Sequence, residues 1–149
     1  MDNRFRDFFG QRPFLLVNNY CRDCELNYIV SNYKYGAWQA TKHLVRVGHR
    51  RIGFIAGGLA EIQTSQDILE SFREVLDEAA IEFSQDLLAD GWLTEEGGAN
   101  AAEKLIRRNP EMTAVFALND KMALGAIRKI SELGLRCPDD IAVVGFDDI

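Results

Sequence analysis

The residues that most resemble chemical apparatus in this 149-residue sequence are Cys21-x-x-Cys24, Asp147-Asp148, Gly57-Gly58 and the two histidines, His43 and His49. A Cys-x-x-Cys pair serves redox exchange when it opens a helix, and binds zinc when a second ligand pair completes the site. Here it lies in a polar run, 18–27, and only Cys137 and the histidines are left to complete it. Reduced thiols are therefore expected, with no metal and no cofactor. Neighbouring carboxylates on extended chain diverge, so Asp147 and Asp148 do not promise the convergence that acid and base roles need. Gly57-Gly58 has neither the G-x-G-x-x-G spacing nor the Lys-Ser/Thr of a phosphate loop, and reads as a tight turn. No Ser-His-Asp set is visible. No catalytic residue is assigned, and the chain is read as a non-enzyme.

Two residues suit recognition instead. Trp92 follows a short apolar run, where an indole either packs under a loop or stacks on a ligand ring or sugar face. Asn119 either caps a helix or hydrogen-bonds a ligand hydroxyl. Both readings stay open for each residue.

The elements that must position these groups follow from hydrophobic period. Apolar runs predict strands at 14–17, 28–30, 51–56, 87–89, 114–118 and 141–145. Three- and four-residue spacing predicts helices between Tyr33 and Val47, over Ile68 to Ala79, from Thr94 to Arg108, and from Asn119 or Asp120 to Leu133. Gly48 and Gly134 stand where helices end with a left-handed residue. The last helix is expected to bury Met122, Ala123, Ala126, Ile127, Ile130 and Leu133, leaving Leu124 exposed. From residue 51 onward strands and helices alternate, which implies an α/β fold: a doubly wound, mainly parallel sheet flanked by helices. Right-handed crossovers then gather Gly57-Gly58, Gly91-Trp92, Asn119-Asp120 and Phe146-Asp147-Asp148 along one rim, a polar ligand mouth. His43 and His49 fall away from that rim and read as structural.

Composition sets limits. The chain is 47% hydrophobic and 27% charged, enough for one real core, with a formal net charge of −6. DNA binding needs a basic face. The small basic patch Arg46, His49, Arg50 and Arg51 reads as a solvated helix end. The first eleven residues hold no apolar signal segment and no stretch reaches eighteen apolar residues, so a cytoplasmic chain without a membrane span is expected.

Three blocks carry a resemblance. They are Gly36-x-x-x-Ala40-Thr41-x-His43-Leu44-Val45-x-x-Gly48-His49-Arg50-Arg51-Ile52-Gly53-Phe54-Ile55, then Thr113-Ala114-Val115-Phe116-Ala117-Leu118-Asn119-Asp120-x-Met122-Ala123-Leu124-Gly125-Ala126, and Pro138-Asp139-Asp140-Ile141-Ala142-Val143-Val144-Gly145-Phe146-Asp147-Asp148-Ile149. In order and spacing they resemble the lactose-repressor and galactose-repressor family of transcription regulators. The resemblance implies the effector-binding core, a fold like that of periplasmic sugar-binding proteins, incomplete at both ends. Residues 1–35 would be a remnant of the first lobe and 36–149 most of the second, with no DNA-binding headpiece. The implied function is effector sensing for a repressor that reaches DNA only through an absent helix-turn-helix. The alternative is a periplasmic-type sugar-binding protein for transport or chemotaxis.

The resemblance also implies site residues. Asn119 and Asp147 match family positions that bond effector hydroxyls, and Trp92 matches a cleft aromatic. Ile68 stands where the family carries an anchoring arginine, which makes it a doubtful effector position: a sugar-like ligand less polar than a typical hexose and loss of effector binding are the two readings. Leu124 matches a position in the family's dimer interface, so a homodimer is expected.

Overall fold

Uninterrupted apolar runs become strands because both faces of a parallel sheet are buried. The computed structural model describes residues 13–18, 20, 26–58 and 62–149; the Cys21-x-x-Cys24 pair lies outside them. Strands β1 (Leu16–Val17) and β2 (Tyr28–Ile29) pair in parallel as a separate two-stranded sheet, Leu16 opposite Tyr28. The larger unit then runs α1 (Tyr33–Arg46), β3 (Ile52–Ala56), α2 (Gln63–Glu78), a 3-10 turn at 85–87, β4 (Leu88–Asp90), α3 (Glu95–Arg108), β5 (Ala114–Ala117), α4 (Asp120–Glu132) and β6 (Ala142–Val144). Its sheet has the order β4-β3-β5-β6, every pair parallel, with Phe54 opposite both Leu88 and Phe116. This is the α/β arrangement the sequence implies.

Alternation along β3 separates the two faces. Phe54 turns toward α2, where its ring and that of Phe116 lie 5.0 and 5.9 Å from the Phe72 ring, respectively 54 to 72 and 116 to 72. Gly53 turns the other way, toward Leu105 of α3 and Met112. Phe54, Phe72 and Phe116 are fully buried, each contributing roughly 2–3 kcal/mol of transfer free energy. Asn32, Thr94 and Asn119 cap α1, α3 and α4 by accepting from backbone N–H groups. Helices α1 and α4 give way to Gly48 and Gly134, both at positive φ.

One expected face is corrected. Helix α4 buries Met122, Ala123, Gly125, Ala126 and Ile130, whereas Ile127 and Leu133 are 39% and 37% exposed. The cause is close approach of α3. A Cβ on Gly125 would lie 1.9 Å from the Glu95 carbonyl oxygen, so the buried face is turned toward Gly125. Ile127 then joins Leu124, 58% exposed, on the outer face, three residues apart. Leu133 has already left the helix at its C-cap.

The basic patch is mostly consumed internally. Arg51 donates to Asn109 Oδ1 at 2.7 Å and to Asp86 Oδ2 at 3.3 Å. Arg50 donates to the carbonyls of Val45 and His49. His49 Nδ1 lies 2.9 Å from Thr113 Oγ1, and burial, then the charge of His43, lowers its pKa. These groups sit at the strands' amino ends, tying connections together. Among the described residues no helix is long and apolar enough to cross a membrane.

Two consequences can be measured. Gly125→Ala forces α3 and α4 apart against backbone, so urea unfolding should show a loss of about 2 kcal/mol or more; a loss below about 0.5 kcal/mol, the range of ordinary surface changes, would contradict the close contact. Arg136 grips Asp140 through its side chain at 2.8 and 2.9 Å and through its backbone N–H at 2.8 Å, and these hydrogen bonds, the side chain's first, hold the carboxyl down to about 2. A lowered folded-state value means stability that is present above the ordinary carboxylate range and lost as pH falls from about 4 toward 2. Arg136→Leu keeps the backbone bond, so carboxyl-detected NMR should find the Asp140 midpoint raised only part of the way toward its ordinary range, with the acid sensitivity reduced in proportion.

Candidate functional site

Because all four strands of the larger sheet run one way, their carboxyl ends open on a single rim. The turns there are Gly57-Gly58 after β3, Gly91 to Leu93 after β4, Leu118-Asn119 after β5 and Gly145 to Asp148 after β6. Trp92, Asn119 and Asp147 therefore lie along a common border. They do not meet. Strand order puts Trp92 and Asp147 at opposite edges with Asn119 between them, and three strand spacings amount to about 14 Å.

The β4 turn is the most constrained. Trp92 and Leu93 both have positive φ, 53° and 59°, a conformation that costs side-chain-bearing residues of order 1–3 kcal/mol each. Trp92 is nonetheless 63% exposed, so its indole projects from the rim instead of packing under a loop. Leu93 occupies the space that a Cβ on Gly57 would need, only 2.2 Å from its Cδ2. The Asp90 carboxylate accepts from the backbone N–H of Trp92 at 2.8 Å and of Gly58 at 3.2 and 3.3 Å. Ser65 Oγ donates to the Gly57 carbonyl at 2.8 Å, tying the first turn of α2 to the same rim.

Asn119 is the α4 cap. Its Oδ1 accepts from Met122 N at 2.8 Å, its Nδ2 makes a long 3.4 Å contact to the Leu93 carbonyl, and only 9% of the residue is exposed. The amide links two neighbouring rim turns and keeps one N–H uncommitted by these bonds.

Asp147 and Asp148 do not lie on extended chain as the sequence suggests. Both have positive φ, 105° and 65°. The turn is held by Phe146, whose ring packs 6.1 Å from Tyr33 and 6.4 Å from Phe116, and by Asp120, which accepts from Ile149 N. Asp147 is exposed, yet burial of its carboxyl and then the nearby Asp120 charge raise its pKa. Burial and then Asp147 raise that of the Tyr33 phenol. The sequence reading missed this Tyr33–Asp147–Asp120 grouping, whose members are distant in the chain.

Ile68 offers the rim nothing. It is 1% exposed and belongs to the central apolar cluster. One turn on, Ser71 Oγ donates to the Lys34 carbonyl, fastening α2 to α1. Beside them, Tyr20 donates to the buried Asp67 carboxylate, and both line a cavity of about 350 Å³ with Tyr28, Asn32, Tyr33 and Lys34. That contact joins the segment around β1 and β2 to α2. Among the described residues no group of three or more His, Cys, Asp or Glu side chains is placed to hold a metal ion.

Comparison with known proteins identifies the scaffold. Residues 41–149 match the family described as periplasmic binding protein-like domain. The HTH-type transcriptional repressor PurR of Pasteurella multocida is 37% identical over 91% of this chain and 40% of its own length. The HTH-type transcriptional regulator GalR of Escherichia coli is 35% identical over 91% of this chain and 39% of its own. A solved sugar-binding transcriptional regulator of the LacI family from Escherichia coli, complexed with phosphate, superposes with a TM-score of 0.86 at 29% identity, covering 99% of this chain and 53% of that one. The chain thus spans about two-fifths of the curated relatives' length. These relatives are transcription regulators, not enzymes. This chain belongs to the periplasmic binding protein-like domain family, in the form of the effector-binding core of lactose- and galactose-repressor-type regulators.

Proposed function

We propose that this chain is the effector-sensing part of a cytoplasmic, lactose-repressor-type transcription regulator, with residues 1–35 contributing to a first lobe and 36–149 forming most of a second. The observation that carries the reading is the single rim holding Trp92, Asn119 and Asp147 in a chain whose relatives are repressors. In this reading the ligand is a small molecule, related to a sugar, lying across that rim. Trp92 supplies an aromatic face, Asp147 an acceptor, and Asn119 its remaining N–H. The sealed Ile68 side chain supports an effector less polar than a typical hexose, because the α2 side of the rim gains no donor from that position. The bare apolar pair Val17 and Ile29 supports the first-lobe assignment, since a two-stranded sheet does not stand alone.

DNA binding is assigned to a helix-turn-helix outside this acidic chain. Effector binding between lobes would shift their relative orientation through differential affinity for two arrangements. The matches to repressors favour this reading over a transport-type sugar-binding protein. A homodimer contact is assigned to the outer face of α4, where Leu124 and Ile127 are exposed together.

Two experiments bear on these assignments. Produced with its flanking coding sequence, the protein should show a ligand in a thermal-shift screen of sugars and less polar sugar-related molecules. Trp92→Ala and Asp147→Asn should each weaken that ligand about tenfold, or ~1.4 kcal/mol; unchanged calorimetric affinity in both would sink the rim as the binding site. Leu124→Asp puts a charge at the centre of the assigned dimer contact. Light scattering after size exclusion should show the mass halved, and an unchanged mass would count against the contact.

A further inference from the structure

Asp90 makes a turn that aspartate favours, its side chain accepting from the backbone N–H two residues on, and adds a second tie to another turn. It ends β4 and turns its carboxylate back over the rim, accepting from Trp92 N at 2.8 Å and from Gly58 N at 3.2 and 3.3 Å. One side chain therefore ties the turn after β4 to the turn after β3. The residues it holds are the ones least disposed to hold themselves. Trp92 and Leu93 sit consecutively at positive φ, a region that bulky L-residues avoid unless their surroundings impose it. On the far side the same turn is secured by Leu93 filling the Cβ space of Gly57 and by Asn119 reaching the Leu93 carbonyl. Only the Asp90 bond acts on the Trp92 backbone itself among the hydrogen bonds of the described residues.

We infer that Asp90 is the positioning residue for Trp92: by accepting the Trp92 and Gly58 N–H groups, it fixes the left-handed turn that projects the indole over the rim, and so sets the plane an aromatic or sugar-ring ligand meets. The role in ligand presentation rests on the rim being the effector site; the clamp itself does not, and it is tested without ligand. Asp90 need not touch the ligand. Its effect passes through the backbone it holds, which is why an indole lacking cover on most of its surface can still be pre-oriented.

The chain has two tryptophans, Trp38 and Trp92, so Trp38→Phe leaves Trp92 as the sole indole reporter. In that background Asp90→Ala should raise quenching of Trp92 by neutral acrylamide by up to about half, the ceiling set by an indole already 63% exposed, and enlarge the fast phase of its anisotropy decay, a nanosecond local motion, with the far-UV circular dichroism unchanged. Asp90→Asn keeps one acceptor oxygen toward Trp92 N but sets an NH2 against the Gly58 N–H, so it should fall between the parent and Asp90→Ala. Quenching and anisotropy unaltered in a folded Asp90→Ala protein would overturn the clamp, as would Asp90→Asn behaving like Asp90→Ala. Should Asp90→Ala not fold, hydrogen exchange in the parent decides: the Trp92 amide, on an exposed residue, should be protected about tenfold or more, and exchange at the unprotected rate would overturn the proposal. None of these readings changes if the rim binds no effector, so the two ideas fail separately.

Discussion

Parallel pairing of β3 with both β4 and β5 is the constraint from which the rest of the molecule follows. Parallel neighbours cannot be joined by a hairpin; each return needs a crossover, and here each crossover is a helix. Helices on both faces bury the strands completely, which is why β3 and β5 tolerate only apolar residues and glycine. The same geometry sends every strand's carboxyl end to one side. Connections at the amino ends carry fasteners such as Arg51, Asp86 and Asn109. Polar and aromatic groups without a packing task collect at the other rim.

The rim is itself a compromise between order and strain. Positive φ at Trp92, Leu93, Asp147 and Asp148 places side-chain-bearing residues in an unfavourable region at both edges of the sheet. Such conformations persist where neighbouring contacts over-determine them. At the β4 edge the contacts are Asp90, the Gly57 recess and Asn119. At the β6 edge they are the Phe146 ring, wedged against Tyr33 and Phe116, and the bond from Ile149 N to Asp120. The two edges are built differently, hydrogen bonds to a carboxylate on one side and aromatic packing on the other, and both leave a functional-looking side chain facing outward.

What the sequence disclosed and what it hid separate along a physical line. Strands and helices were readable because period and burial are local consequences of residue type: the apolar run at 114–118 and the spacing of Ile68, Phe72, Val75 and Leu76 lead to β5 and α2. The rim turns were readable too, since they follow from strand polarity. On α4 the exposure of Leu124 was readable but that of Ile127 was not, because it depends on how closely another helix approaches. Gly125 carries that information, yet a glycine in a helix does not say which neighbour uses the space. Ser65 and the Gly58 contact of Asp90 were missed for a similar reason: their partners are backbone groups of another turn, and backbone has no sequence signature, whereas the Asp90 bond to Trp92 N is a local habit of aspartate. The adjacency of Asp147 and Asp120 required the β5–β6 pairing. Cys21 and Cys24 lie outside the described residues, so their reading stays as the sequence left it.

Ile68 and Ser71 show how α2 is fastened to its neighbours away from the rim. Ile68 continues the apolar stripe of α2 into the core, at 1% exposure. Ser71 then adds a bond to the Lys34 carbonyl, which steadies the α1–α2 layer without reaching the rim. Of the three rim residues, Asn119 and Asp147 follow β5 and β6, while Trp92 follows β4 with the Asp90 carboxylate committed to backbone N–H groups. In the sensing role proposed above, a ligand would be recognised by its flat apolar face at one end and by a donor for Asp147 at the other, an asymmetry that a uniformly hydroxylated sugar matches less well than a molecule with one polar end.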